Sequence, residues 1–347
     1  MNNLESLFFY LFFLLLSTYF YYLSNNRKNR SSKYLFLVLS FSIPMLIGGL
    51  RKNVGTDYNT YISLFNNLQK NDEIGFYYLC KFIKLFGDYR LMFFVFNFLT
   101  LLIFFFSLSK IKEDERVSVY YIYLFTMYMI SYNSVRQMLS VNLVFLGYMY
   151  LKNNRNIVFV LLTLLASSFH FGSIFVIPFV CIAKIKSKFI KFILIILVLF
   201  TCINYQKILL IMSNFSMFEK YYILYYGQNV RITFNNLEFF FDLFVFIFIC
   251  FYRKKLVESD SFNGVLIYFL CFEVLIMTIG FSNPYVKRMS LFFKISQLLL
   301  LVQIPKVSAI KSNKHIYRLA LIIYPILFFI LDYYVLMHSN IIPYAHI

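Results

Sequence analysis

The sequence predicts an all-α integral-membrane protein, a polytopic transmembrane helix bundle of about 10–12 membrane segments. Three observations carry that prediction. Hydrophobic residues make up 61% of the 347 positions and charged residues only 14%, against about 25% charged in an ordinary soluble domain. Mean hydropathy is +0.72, and no water-soluble fold of this length could hide so much apolar surface. Finally, apolar runs of membrane-crossing length alternate with short loops rich in Lys and Arg. A soluble enzyme, a nucleic-acid binder and a disordered chain are thereby excluded. The net charge of +18, from 33 basic and 15 acidic residues, is expected to orient the chain in a membrane.

The segments follow in order. The first run, 7–23, has neither a basic leader nor a small-residue cleavage site and reads as a retained anchor. Arg27, Lys28, Arg30 and Lys33 put the next loop in the cytoplasm and the N-terminus outside. The run 34–50 returns outward, and 51–90 forms a large outer loop. Within it, Tyr58, Tyr61, Ile62, Phe65 and Leu68 share one helical face, as do Phe76, Leu79, Cys80, Ile83 and Phe86. Both stretches read as amphipathic helices lying on the membrane surface, the first opened by a turn and N-cap at Gly55, Thr56 and Asp57.

Alternation then gives spans 91–109, 117–133 and 137–151, with Lys110, Lys112, Arg116, Lys152 and Arg155 inside. The apolar stretch 157–183 is interrupted by Ser167, Ser168, His170, Gly172 and Ser173. Lys184, Lys186, Lys188 and Lys191 follow it and also belong inside. The stretch is therefore expected to go in and come back, as a short broken hairpin turning near His170. Each arm of about 13 residues would reach only about 20 Å. One long tilted crossing is the alternative. Spans 189–204, 236–252, 262–281, 289–304 and 317–337 complete a single membrane domain over 1–347, with a second outer loop at 205–235 and the C-terminus outside.

The 46 Phe and 30 Tyr make any single aromatic weak as a signal, since packing or lipid contact explains most of them. Cys80, Cys181, Cys202, Cys250 and Cys271 form no CxxC pair, so neither a zinc site nor a disulfide framework is expected. No phosphate-binding glycine loop, Ser-His-Asp order or DxD-like metal site occurs. That argues against a nucleotide-sugar or ATP substrate, and no cofactor or metal is expected.

The topology places the unusual polar residues on the outer side: Arg51 and Asp57, Glu73, Arg136 and Gln137, His170, and Lys287 with Arg288. Arg51 alone could be a snorkelling helix-end residue. Arg136 interrupts an otherwise nearly continuous apolar stretch from 117 to 151, and an ionisable residue at membrane level is a functional candidate by default. Arg288 opens a helix, where the dipole disfavours a cation unless an anion is paired with it. Arginine binds phosphate oxygens bidentately, and a carboxylate or imidazole can act as general base. Together these residues suggest a polyprenyl diphosphate substrate. Within the spans, Asp242, Glu273, Lys294 and Asp332 require partners, and Lys294 is expected to pair with Glu273 or Asp332.

Six ordered motifs then point to a family. They are R-K-N-V-G-T-D-Y-N-T-Y at 51–61, D-E-I-G-F-Y-Y-L at 72–79, S-V-R-Q-M-L-S at 134–140, A-S-S-F-H-F-G-S-I at 166–174, R-M-S-L-F-F at 288–293, and I-P-Y near the C-terminus. In this the sequence resembles the EpsG family of bacterial polysaccharide polymerases, within the broader Wzy-like group. The resemblance implies an enzyme that polymerises lipid-linked oligosaccharide repeat units at the outer face of the bacterial cytoplasmic membrane. Glycan would pass from undecaprenyl diphosphate to an acceptor sugar hydroxyl, in capsule, exopolysaccharide or O-antigen biosynthesis.

The expected chemistry is a metal-independent glycosyl transfer. Arg136 and Arg288, assisted by Arg51, would hold the donor diphosphate; Asp57 or His170, and less readily Glu73, would be the base. Gln137, Tyr58 and Tyr285 are expected to contact substrate, and the Tyr-rich loop with Tyr221, Tyr222, Tyr225 and Tyr226 to stack on sugars. The implied partners are the undecaprenyl-diphosphate-linked oligosaccharide, membrane lipid, and a chain-length regulator and flippase of the same pathway, with no nucleic acid. A flippase or transporter of the lipid-linked unit, and a ligase using the same donor, are the alternatives.

Overall fold

The computed structural model describes residues 1–70, 72–214, 237–280, 287–308 and 311–346. In chain order the helices are α1 (Asn3–Asn26), α2 (Arg30–Gly49), α3 (Tyr58–Asn66), α4 (Ile74–Ile83), α5 (Tyr89–Ser109), α6 (Glu113–Thr126), α7 (Val135–Lys152), α8 (Asn156–Phe169), α9 (Val176–Lys184), α10 (Lys188–Ile203), α11 (Tyr205–Met212), α12 (Leu237–Phe251), α13 (Arg253–Ser259), α14 (Asn263–Gly280), α15 (Leu291–Leu301), α16 (Ile304–Val307) and α17 (Lys311–Phe329). Every predicted apolar span coincides with one of them. The span expected at 117–133 is α6 followed, after a break at Met127, by a 3-10 turn over Tyr128–Tyr132. α1, α2, α5 and the segment Lys314–Val335 are long and apolar enough to cross a membrane unaided. The protein is a polytopic helical membrane protein. Apolar side chains such as Phe8, Phe12, Leu35, Val38, Phe106, Leu161 and Leu319 face outward, each more than half exposed, as a lipid-facing surface requires.

The chain divides into two compact units, Met1–Ile174 with Leu301–Ile347, and Phe175–Leu300. In the first, α1 starts from a capping box, Asn2 with Glu5, and extends about 36 Å at 1.5 Å per residue. Its two ends meet different sets of residues. At one end, Tyr10 Oη donates to the Ile341 carbonyl (3.0 Å) and the Tyr344 N–H to Ser6 Oγ (2.8 Å). At the other, Asn25 Nδ2 donates to the Glu113 carbonyl (3.1 Å). Lys306 pairs there with Asp114 (2.5 Å) and Glu115 (2.7 Å), and the ammonium holds the Asp114 carboxyl below its usual range. Lys110 lies 4.4 Å over the Tyr150 ring, beside the C-terminus of α7. The loops that hold Arg27 to Lys33, Lys110 to Arg116, and Lys152 to Arg155 thus gather at the end opposite Arg51. This is the sorting that one alternation of spans produces.

Away from water every backbone polar group needs an internal partner, and α2 shows how one is found. Pro44 sits inside the helix and has no N–H for the carbonyl of Ser40. Two hydroxyls supply the missing donors: Ser17 Oγ at 2.7 Å and Tyr120 Oη at 2.9 Å. One turn further on, Asn97 Nδ2 donates to the carbonyls of Met45 (2.8 Å) and Pro44 (3.2 Å). Helices α1, α2, α5 and α6 are in this way joined through the defect that Pro44 creates.

The second unit carries a buried charge cluster. Lys294 on α15, 2% exposed, donates to Asp242 (2.9 Å) and Glu238 (2.8 Å), one turn apart on α12. Glu238 also takes Lys287 at 2.8 Å. Gln297 Nε2 bridges Asp242 and Glu273 of α14, each at 3.0 Å. This corrects the expectation that Lys294 pairs with Glu273 or Asp332. Glu238 lies at the edge of its apolar run, and the i, i+4 spacing to Asp242 aims both carboxylates at the same ammonium. Removing one partner of a buried pair leaves an uncompensated charge. Lys294→Ala should therefore destabilise the detergent-solubilised protein by about 3–5 kcal/mol, seen as a lower melting temperature than Lys184→Ala.

Candidate functional site

The site is built at the Arg51 end of the first unit. The two amphipathic stretches of the loop 51–90 form α3 and α4 as expected. Their apolar faces pack inward: Tyr58, Tyr61, Phe65, Phe76, Cys80 and Ile83 join Met92, Phe93 and Phe96 of α5 and Val135 and Leu139 of α7 in one buried cluster. Phe86 stays out, 69% exposed. Asp57 occupies the N-cap position of α3 but makes no side-chain cap, unlike the cap expected there. Its carboxylate instead accepts from Thr56 Oγ1 at 3.3 Å.

Arg51 is 2% exposed. Its guanidinium donates to the carbonyls of Gly48 and, at 3.2 Å, Tyr132, and it lies 4.5 Å and 4.8 Å from the rings of Phe93 and Tyr132. A guanidinium so enclosed ties the end of α2 to α5 and to the turn before α7. At 2% exposure its observed contacts are structural ones, and the assisting diphosphate contact expected of Arg51 is not among them. Tyr58 is likewise enclosed, stacked on Phe93 at 4.7 Å, and Gln137 is 3% exposed.

Gly55 follows with φ +102°, and a Cβ there would lie 2.7 Å from Asn133 Oδ1 and 2.8 Å from the Tyr132 carbonyl. Only glycine fits this turn. The close approach lets Asn133 Oδ1 accept from Thr56 Oγ1 (3.1 Å) and from the Asp57 N–H (3.3 Å). Asn133 was not singled out in the sequence, where a lone Asn beside Tyr132 carries no pattern.

Arg136 opens α7 and forms an ion pair with Glu73. Its guanidinium also sits 4.8 Å over the Phe76 ring and 5.7 Å over Tyr61. The pair is not sealed, since the two side chains are 21% and 16% exposed. Glu73, named as a weak base, is therefore engaged in orienting an arginine. His170 ends α8 with extended backbone, φ −150°, so the chain breaks where the sequence placed the break. Two contacts bring it to the same end. Ser140, one turn after Arg136, donates to the Ala166 carbonyl (2.7 Å), which also accepts the His170 N–H (3.0 Å). A Cβ on Gly75, two residues from Glu73, would lie 2.5 Å from Ser168 Oγ.

Asp57, Glu73, Arg136 and His170 thus share one end of the first unit. Arg288 belongs to the second unit and is exposed there. Tyr285, Tyr221, Tyr222, Tyr225 and Tyr226 lie outside the described residues. Among the described residues no three His, Cys, Asp or Glu side chains gather as a metal site.

A family model matches residues 33–346, nearly the whole chain, and its description is the EpsG family. The chain belongs to the EpsG family. EpsG proteins are Wzy-like polysaccharide polymerases, so a role of the polysaccharide-polymerase type follows from membership. No curated protein and no solved structure matches the chain. The match takes in each of the six sequence motifs, including the stretch that holds Arg51, Glu73, Arg136 and His170.

If Arg51 is a structural tie, its loss must cost stability and not only activity. Arg51→Met should destabilise the protein by about 2–4 kcal/mol, from two charge-assisted hydrogen bonds and two ring contacts. A thermal melt in detergent checks this. An unchanged melting temperature would return Arg51 to the ligand role.

Proposed function

We propose that this EpsG-family protein polymerises oligosaccharide repeat units carried on undecaprenyl diphosphate, at the outer face of the bacterial cytoplasmic membrane. The observation that carries the reading is Arg136: a largely buried but not sealed guanidinium-bearing side chain at the start of α7, pre-oriented by Glu73 and two aromatic rings. Such a cation is placed to meet the diphosphate of a lipid-linked donor. It gains most where charge builds on the leaving oxygen as the anomeric C–O bond breaks. The basic loops of the first unit lie at the opposite end, which under the positive-inside rule assigns the Arg136 end to the outside.

In this reading Glu73 positions Arg136, and Asp57 and His170 line the acceptor. Translocation of the lipid-linked unit would need charged residues along a path through the bundle, for which Asp242, Glu273, Lys294 and Asp332 are the candidates. The pairing of Lys294 with Asp242 and Glu238, of Gln297 with Glu273, and of Asp332 with His338 accounts for those charges without a pathway.

In a deletion strain complemented with variants, Arg136→Ala should cut long polymer by about 100-fold or more, leaving single repeat units on lipid at normal protein level. Glu73→Gln should reduce polymer less. Normal polymer length from Arg136→Ala would contradict the diphosphate role.

A further inference from the structure

Helix α3 has two unlike faces. Tyr58, Tyr61 and Phe65 anchor one of them in the cluster formed with α5 and α7. The positions it turns to solvent are Asn59, Thr60, Ser63 and Asn66, followed by exposed Asn67. At 3.6 residues per turn these five share about one third of the helix circumference. Every one is an amide or a hydroxyl. None carries a charge, in a chain with 33 basic and 15 acidic residues. Helix α13 shows the ordinary alternative, with Arg253, Lys254, Lys255 and Glu258 exposed.

The hydroxyls of α3 are also disposed differently from others in the bundle. Thr18, Thr100, Ser107, Thr126 and Thr163 turn theirs back onto carbonyls four residues earlier in their own helices, at 2.7–3.0 Å. Thr60 and Ser63 do not, and among the described residues the side chains of Asn59 and Asn66 make no bond to protein either. The backbone beneath them is nevertheless held at both ends. Asn133 Oδ1 accepts from the Asp57 N–H (3.3 Å) at the start. At the finish Lys84 Nζ donates to the Asn66 carbonyl (3.0 Å) and lies 5.3 Å over the Phe65 ring. A set of outward donors and acceptors is thus presented in fixed geometry.

Amides and hydroxyls both donate and accept, whereas an ammonium only donates and a carboxylate only accepts. A face made of the first kind alone matches a ligand whose own groups do both and carry no charge, which describes a run of sugar hydroxyls. From Asn59 to Asn66 the helix rises about 10 Å, the reach of a short oligosaccharide rather than of a single hydroxyl. The face also continues from the site. Thr60 comes one turn after Thr56, whose hydroxyl reaches Asp57 (3.3 Å) and Asn133 (3.1 Å).

We propose that this face of α3 binds the glycan of the acceptor repeat unit, along Asn59, Ser63 and Asn66, with the reacting hydroxyl at the Asp57 end. The inference rests on the polymerase reading above and adds to it a surface that reads sugar. Each contact replaces a bond to water and is weak alone, so recognition is spread along the helix. The fixed backbone limits the ordering that binding requires.

The test uses full-length protein in proteoliposomes with the lipid-linked repeat unit extracted from the deletion strain. With Asn59→Ala, Ser63→Ala and Asn66→Ala combined, KM for that unit should rise roughly 10-fold or more while kcat holds. Alanine favours a helix more than Asn or Ser does, so the melting temperature should stay level or rise. Asn59→Ala alone should show part of the same KM increase. The repeat-unit oligosaccharide released from its lipid should inhibit the wild-type protein, and the triple variant only at roughly 10-fold higher concentration. An unchanged KM, or a loss confined to kcat, would overturn the glycan site and leave the polymerase reading in place. A raised KM with unaltered inhibition by the free oligosaccharide would also overturn it, because the face would then meet lipid headgroups. Wild-type protein inert on the extracted unit would instead overturn the polymerase reading, and the glycan site with it.

Discussion

The Arg51 end of the first unit is organised around one enclosed guanidinium. Arg51 has no water to solvate it, so its charge must be met by carbonyls and ring faces. Those of Gly48, Tyr132 and Phe93 come from three different elements. Meeting that demand fixes where α2 stops relative to the turn before α7. Gly55 can then close against Asn133, and Asn133 can reach both Thr56 and Ser339. Arg136, three residues after Asn133, and the C-terminal turn that carries His338 inherit their places from this tie. A buried charge is costly to hold, and here it converts that cost into a rigid platform at the end of an otherwise apolar bundle.

The same rule operates through neutral groups deeper in the unit. Pro44 leaves the Ser40 carbonyl without its helical donor, and the hydroxyls of Ser17 and Tyr120 replace it. In the second unit, Lys294, Gln297 and three carboxylates satisfy one another. Polar residues in the apolar spans are thus mostly explained by backbone defects or by other charges. Arg136 differs in kind, because its side chain stays 21% exposed beside its partner Glu73.

Much of the fold was legible because its causes are local. Apolar runs gave the helices, and Lys and Arg between them gave an alternation that the first unit reproduces. The heptad-like spacing of Tyr58, Tyr61 and Phe65, and of Phe76, Cys80 and Ile83, foretold two amphipathic helices. The spacing was read as laying both on the membrane surface, whereas these apolar faces pack on α5 and α7, a choice only tertiary neighbours decide. The break at His170 was visible in a Ser- and Gly-rich interruption. What was not legible depends on tertiary neighbours. Arg51 and Arg136 look alike in sequence, yet one is enclosed and the other open. Glu73 has no partner visible in the sequence, and only the fold sets it against Arg136. Asp332 and His338 are six residues apart, and only a π turn at Ile330–Val335 brings their side chains to 2.6 Å.

The most direct test of an outward-facing anionic-lipid site is labelling from outside the cell. Lys52 is exposed in the loop beside Arg51, so Lys52→Cys in a background cleared of the native cysteines provides the probe. A membrane-impermeant thiol reagent should label it in intact cells, while Lys33→Cys, at the opposite end, should react only after permeabilisation. The reverse pattern, Lys33→Cys labelled in intact cells and Lys52→Cys protected, would contradict an outer-face polymerase site.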